Sequence, residues 1–124
     1  MLRAQRIVAA ASAIDRLVET RIAPGALVLR ISPDEAIVVG SPAGPVDDAH
    51  AIVEDESGLS VIRFSAQAFD EKVRPHIEWE VPRDRPASAQ GLVAAVPCKV
   101  WLDTEVVLVI CATAVIDELA QRLR

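Results

Sequence analysis

The chain has no tyrosine and only two phenylalanines and two tryptophans in 124 residues. So few rings exclude a surface that stacks successive nucleobases, and they leave the core to Val, Ile and Leu. Basic charge is also scarce: 13 Lys and Arg stand against 18 Asp and Glu, for a net charge of −5. A protein that neutralises several phosphates needs a basic face, so nucleic acid is not an expected partner. His50 and His76 lie far apart, and Cys98 and Cys111 form no CxxC pair. No metal-ligand spacing is present, and no metal is expected. Long apolar runs are missing as well: the longest, Val106 to Ala112, is much too short to cross a bilayer. Arg3, Arg6, Arg16 and Arg21 interrupt the first 23 residues, so these lack the apolar stretch of a targeting segment. Each cysteine sits in an apolar stretch, which favours a buried structural role over a reactive thiol. Two free thiols suit a reducing compartment, so a cytoplasmic location is expected, without a membrane partner.

What is present reads as a single domain over 1–124, able to bury roughly two-thirds of its unfolded surface. Ile7, Val8, Ala11, Ile14, Val18 and Ile22 recur at helical spacing, with Leu17 on the flank. This predicts one amphipathic helix over 1–23, ended by Pro24-Gly25, ahead of a core at 24–124. Residues 26–31 and 36–40 alternate as two strands, and Ser32-Pro33-Asp34-Glu35 between them has hairpin-turn chemistry. The acidic pair Asp34-Glu35 lacks a partner carboxylate or base, so the turn reading is preferred to a catalytic one.

A loop follows at 41–49, then a weak strand at 50–54, with Glu54-Asp55-Glu56 as a solvated acidic turn. Gly58 to Ser65 reads as a strand with both faces at least partly covered. Ala66 to Arg74 reads as a helix with Phe69 and Val73 four apart, stopped by Pro75. Residues 75–87, rich in Pro and Arg, read as a loop anchored by Trp79. Strands are expected at 88–96 and 99–102, with Pro97 at the break. Val106 to Ile110 is apolar on both faces and reads as a central strand. Thr113 is placed as cap of a last helix that buries Val115, Ile116, Leu119 and Leu123. The sum is an α+β fold, an antiparallel or mixed sheet with about three helices.

Three segments together resemble the sarcosine oxidase gamma-subunit family over about residues 26–123. "RISPDEAIVVG" (30–40) is similar to its L-G-P-D-E-W-L-L segment. "IVEDESGLSVIRFSAQAF" (52–69) is similar to the acidic run, strand and small-residue turn that follow there. "SAQGLVAAVPCKVWLDTEVVLVICATAVIDELAQRL" (88–123) is similar to its C-terminal part. The resemblance implies a fold like the folate-binding domain of aminomethyltransferases, built from interlocked β-α-β units. It also implies a non-catalytic component of a flavoenzyme assembly, with no cofactor of its own.

An accessory subunit acting through protein–protein contacts is therefore the first functional expectation. Its partners would be flavoprotein oxidase-like subunits, or further copies of this chain. Such a subunit should expose apolar surface on the 105–111 sheet or on the N-terminal helix, rimmed by Arg. The alternative is a free-standing domain that binds a folate-like anion through Arg63, Lys72, Arg74, Arg83 and Arg85. An enzyme in its own right would have to use His50 beside Asp47 and Asp48, or Cys98. The five glycines are too dispersed for a nucleotide cradle.

Overall fold

The computed structural model describes residues 3–20 and 26–124. It is an α+β fold with three helical segments and two four-stranded antiparallel sheets among the described residues. The chain divides into two compact units, Leu2–Ser57 and Gly58–Arg124. Each has its own sheet and its own helix-covered core.

The first unit contains β1 (Ala4–Val8), α1 (Ala11–Thr20), β2 (Leu27–Ser32), β3 (Glu35–Val39) and β4 (Ile52–Glu56). Its sheet order is β2-β3-β1-β4. The expected helix over 1–23 is corrected here, because its first part is an inner strand. Arg6 faces Ile37 on one side and Glu54 on the other, and Ile7 faces Ala36 and Val53. Ile7 and Val8 are β-branched, and two distant strands supply ladder partners that a helix would forgo. The helix starts only at Ala11, which rotates its buried stripe. Ala13, Ile14 and Leu17 pack with Ile7, Ala36 and Val38, while Val18 is exposed. The placement of Ile22 and of the Pro24-Gly25 stop lies outside the described residues.

The β2–β3 hairpin turns at Pro33-Asp34. Within the turn, Asp34 Oδ1 accepts the Ser32 hydroxyl at 2.8 Å. The turn is held from outside as well. Arg30 Nη2 donates to the Pro33 carbonyl at 2.8 Å, and the Ala9 N–H donates to the Asp34 carbonyl at 3.0 Å. Arg30 also pairs with Asp15 of α1, and Glu35 pairs with Arg6. Glu54, Asp55 and Glu56 are not a turn: they lie in β4, whose outward charges suit an edge strand.

The second unit begins with β5 (Leu59–Ser65), followed by a continuous helical segment. That segment runs as α2 (Ala66–Ala68), a π turn (Phe69–Val73) and a 3-10 turn (Arg74–His76). Then come β6 (Ala87–Val93), β7 (Val96–Leu102), β8 (Val106–Ala112), a 3-10 turn (Thr113–Val115) and α3 (Ile116–Arg122). The sheet order β5-β8-β7-β6 makes β8 an inner strand, as its apolar run suggested. On the helix-covered face Val100, Leu102, Val107 and Val109 meet Phe69, Val73, Leu119 and Leu123.

Three local expectations in this unit are corrected. Pro75 does not stop the helical segment but sits at the start of its 3-10 turn, where a missing N–H breaks no bond. The chain reverses at Ala94-Ala95 rather than at Pro97. Pro97 lies inside β7 opposite Leu92, and its nitrogen points away from β6 beyond the last β8 position paired with β7. Thr113 provides no side-chain cap; its hydroxyl shares a 2.8 Å hydrogen bond with that of Ser60.

Candidate functional site

The segment from Arg74 to Arg85 is held by contacts at both ends. Ser65 Oγ accepts the Ala68 N–H at 3.1 Å and starts the helical segment. Phe69 and Val73, fully buried, fix it on the sheet. Arg74 lies over the Phe69 ring, 5.6 Å from its centre, and donates to Asp70 Oδ1 from Nε at 3.0 Å. Further along, Trp79 donates its indole N–H to the Leu92 carbonyl at 2.8 Å. Val81 is buried in the same core.

The β6–β7 turn meets this segment at His76. Ala94 and Ala95 have φ of 48° and 66°, the left-handed region that costs most residues 1–2 kcal/mol. The turn is gripped on both sides. The Ala94 N–H donates to the His76 carbonyl at 3.1 Å, and Arg122 Nη1 of α3 donates to the Ala94 carbonyl at 2.6 Å. Arg122 is itself held by Glu118 one turn back.

Trp79 thereby becomes the wall between two clefts. One, of ≈ 580 Å³, is bounded by Pro75, His76, Glu78, Leu92 and the Ala94-Ala95 turn. The other, of ≈ 290 Å³, holds Arg74, Arg83 and Arg85, with Glu80 among them. Three of the five expected anion contacts are therefore brought to one cleft. Arg63, exposed on β5, and Lys72, exposed on the π turn, are not among its walls. Within the cleft Arg74 is engaged by Asp70, and Arg85 donates to the carbonyls of Pro82 and Asp84. Arg83 is exposed.

Of the residues singled out for catalysis, Asp47 and Asp48 are engaged by α1 and by the residue just ahead of it, and Cys98 is buried. Asp48 Oδ2 accepts the Ala10 N–H at 2.8 Å and Oδ1 accepts the His50 N–H at 2.9 Å. These two bonds lower its carboxyl below the ordinary value. The first is formed just ahead of α1, so Asp48 tethers the start of that helix to the 41–51 loop. Asp47 forms an ion pair with Arg16 of α1, and the His50 side chain is exposed. Cys98 is buried, and burial pushes its thiol up to about 12, with the neighbouring Cys111 adding to the shift. A thiol so far above neutrality carries almost no thiolate at pH 7. Among the described residues no group of three His, Cys, Asp or Glu side chains is placed to hold a metal ion.

Comparison with family models, with curated proteins and with solved structures finds no match. No helix among the described residues is long and apolar enough to cross a membrane.

The roles of Gly91 and of the Ala94-Ala95 turn escape sequence reasoning. A glycine inside a strand pattern does signal a close backbone approach, and here it marks where Trp79 lies. The two alanines carried no turn signal at all. Among the described residues the exposed large apolar side chains are Val18 of α1, Ile52 and Val53 of β4, Val61 of β5 and Leu92 of β6. Of the two surfaces expected to be exposed, α1 thus contributes Val18, and the sheet that contains β8 contributes Val61 and Leu92 from its edge strands, among the described residues.

Proposed function

We propose that the chain is a non-catalytic accessory subunit that works through protein–protein contacts, of the kind represented by the gamma subunit of heterotetrameric sarcosine oxidase. An α+β scaffold like the aminomethyltransferase folate-binding domain belongs to the same proposal. The observation that carries it is strand β4. Among the described residues β4 pairs only with β1, and it exposes Ile52 (53%) and Val53 (44%).

The hydrogen bonds from Gly40 to Arg3 and from Ala9 to Asp34 set the alternation of the sheet. They direct the backbones of residues 3, 5, 7 and 9 to β3, and those of Ala4, Arg6 and Val8 to β4. On β4 this leaves the N–H and C=O of Val53 and Asp55 on the outer edge, available to an added strand. Pairing of two copies there would bring Glu54, Asp55 and Glu56 of each together, and like charges across a ladder are unfavourable. A strand from a different subunit suits this edge better than a second copy does.

The test is recovery of the tagged protein from its source organism, with co-eluting proteins identified by mass spectrometry. Flavoprotein oxidase subunits in fixed ratio support the proposal if Val53→Pro releases them. That substitution removes only an outward N–H, so the fold tolerates it. Recovery of the chain alone overturns it.

A second reading, binding of a folate-like anion, is favoured by the convergence of Arg74, Arg83 and Arg85 on one cleft. A thermal-shift titration with folic acid and with inorganic phosphate tests it. A rise in Tm that Arg83→Ala abolishes supports binding, and no shift with either probe removes this reading.

A further inference from the structure

Cys98 and Cys111 lie on neighbouring strands of one sheet, β7 and β8. The paired register runs from Leu102↔Val107 to Lys99↔Ile110, and Cys98 and Cys111 are the next residues along the two strands, one step beyond the last paired position. The kind of pair follows by counting from the hairpin end. The Asp103 N–H donates to the Val106 carbonyl at 2.9 Å, so those two residues form a hydrogen-bonded pair. Alternation then makes Leu102/Val107, Val100/Val109 and Cys98/Cys111 the non-hydrogen-bonded positions. Facing Cα atoms approach to about 4.5 Å there, and side chains come closest. Bridged cysteines have Cα atoms roughly 4.4–6.8 Å apart, so the site needs little adjustment. Both side chains point to the same face, since both belong to the core that includes Val100 and Val109. Both thiols are free and buried. The Cys111 charge acts on Cys98, as expected for two sulfurs within electrostatic reach of each other.

We propose that Cys98 and Cys111 are a disulfide-forming pair, closed by a low-molecular-weight disulfide into an intramolecular bridge that joins β7 to β8. One protein thiol gives up its proton, and its sulfur attacks glutathione disulfide. The glutathione S–S bond breaks, and one glutathione leaves as the thiolate, which takes up a proton. The second protein thiol, also deprotonated, attacks the protein-side sulfur of the mixed disulfide and releases the second glutathione. Two protein thiols lose two electrons and two protons, and glutathione disulfide becomes two glutathione molecules.

The bridge is tested on the full chain at a fixed ratio of glutathione to glutathione disulfide, in buffer and in concentrated urea. Samples are diluted from urea already reduced or already oxidised, so that burial of the thiols does not limit exchange. After an acid quench and alkylation, intact mass gives the bridged fraction. Trypsin cleaves after Lys99, which places the two cysteines in different peptides, and a joined peptide identifies the bridge. The expected result is an effective thiol concentration at least about tenfold higher in buffer than in urea. The joined peptide should be absent from Cys98→Ser and from Cys111→Ser. An equal or lower value in buffer overturns the proposal, as does an oxidised population made mainly of glutathione adducts or of linked dimers.

Discussion

The indole of Trp79 rests on the backbone of Gly91. A Cβ built on Gly91 would stand 2.5 Å from the indole Nε1 and 2.8 Å from two ring carbons. The ring cannot retreat without losing the bond from its N–H to Leu92. Gly91→Ala is therefore expected to destabilise the second unit by about 1–3 kcal/mol, the usual range for overpacking. Urea unfolding measures it. In a Trp79→Ala background the same substitution should cost much less, because the collision is gone.

The Ala94-Ala95 turn makes the opposite prediction. Both residues sit at positive φ, where Asn and Gly are at ease. Replacing them by Asn-Gly is expected to raise stability by about 1–2 kcal/mol, read as a higher urea midpoint with unchanged slope. An unchanged midpoint would show that the grip of His76 and Arg122 on Ala94 already offsets the conformational cost.

Asp48 should matter most above acid pH. Its folded carboxyl lies below the ordinary value because the Ala10 and His50 N–H groups donate to it. The unfolded chain therefore binds its proton first as pH falls. The stability it contributes is complete above the unfolded value of about 4, and it is lost as pH drops through the lower folded value. Urea midpoints of Asp48→Ala and the wild-type chain should differ near neutrality and converge at low pH.

Cys98 gives the alkaline counterpart. Its thiol is pushed up to about 12 by burial, so the folded state keeps its proton longer than the unfolded state. That stabilisation is complete below the unfolded value of about 8.5, and it is lost as pH rises toward 12. Cys98→Ala should be less stable at neutral pH from lost packing, yet show a flatter alkaline decline. Iodoacetamide at pH 8 should modify Cys98 on the order of 10²-fold more slowly in the folded chain than in urea.

Sequence pattern carried the parts of the fold that are decided locally. The turn residues Pro33-Asp34 and the apolar runs beside them mark the first hairpin, Phe69 and Val73 mark one helical face, and Val106–Ile110 reads as an inner strand. The missed parts depend on distant partners. Ile7 and Val8 fit a helical stripe as well as a strand, and only the strands at 35–39 and 52–56 decide between them. Pro97 looked like a break because its unpaired side could not be seen without the sheet order. The arginine cluster was half legible. Arg74, Arg83 and Arg85 were marked by composition, but their convergence depends on the anchoring of Trp79 over Gly91.

The strands of each sheet come from one stretch of chain, β1 to β4 and then β5 to β8, and this bears on the order in which the protein can be made. Strand β1 finds both its neighbours, β3 and β4, before Gly58 is added. The N-terminal unit therefore leaves the ribosome with every strand of its sheet already synthesised, and its folding need not wait for the second half. The second unit must wait for elements that follow β5 in the chain, because β8, which links β5 to β7, and the covering helix α3 come after β6 and β7. Truncation after β5 should spare the first sheet and leave β5 without its neighbour.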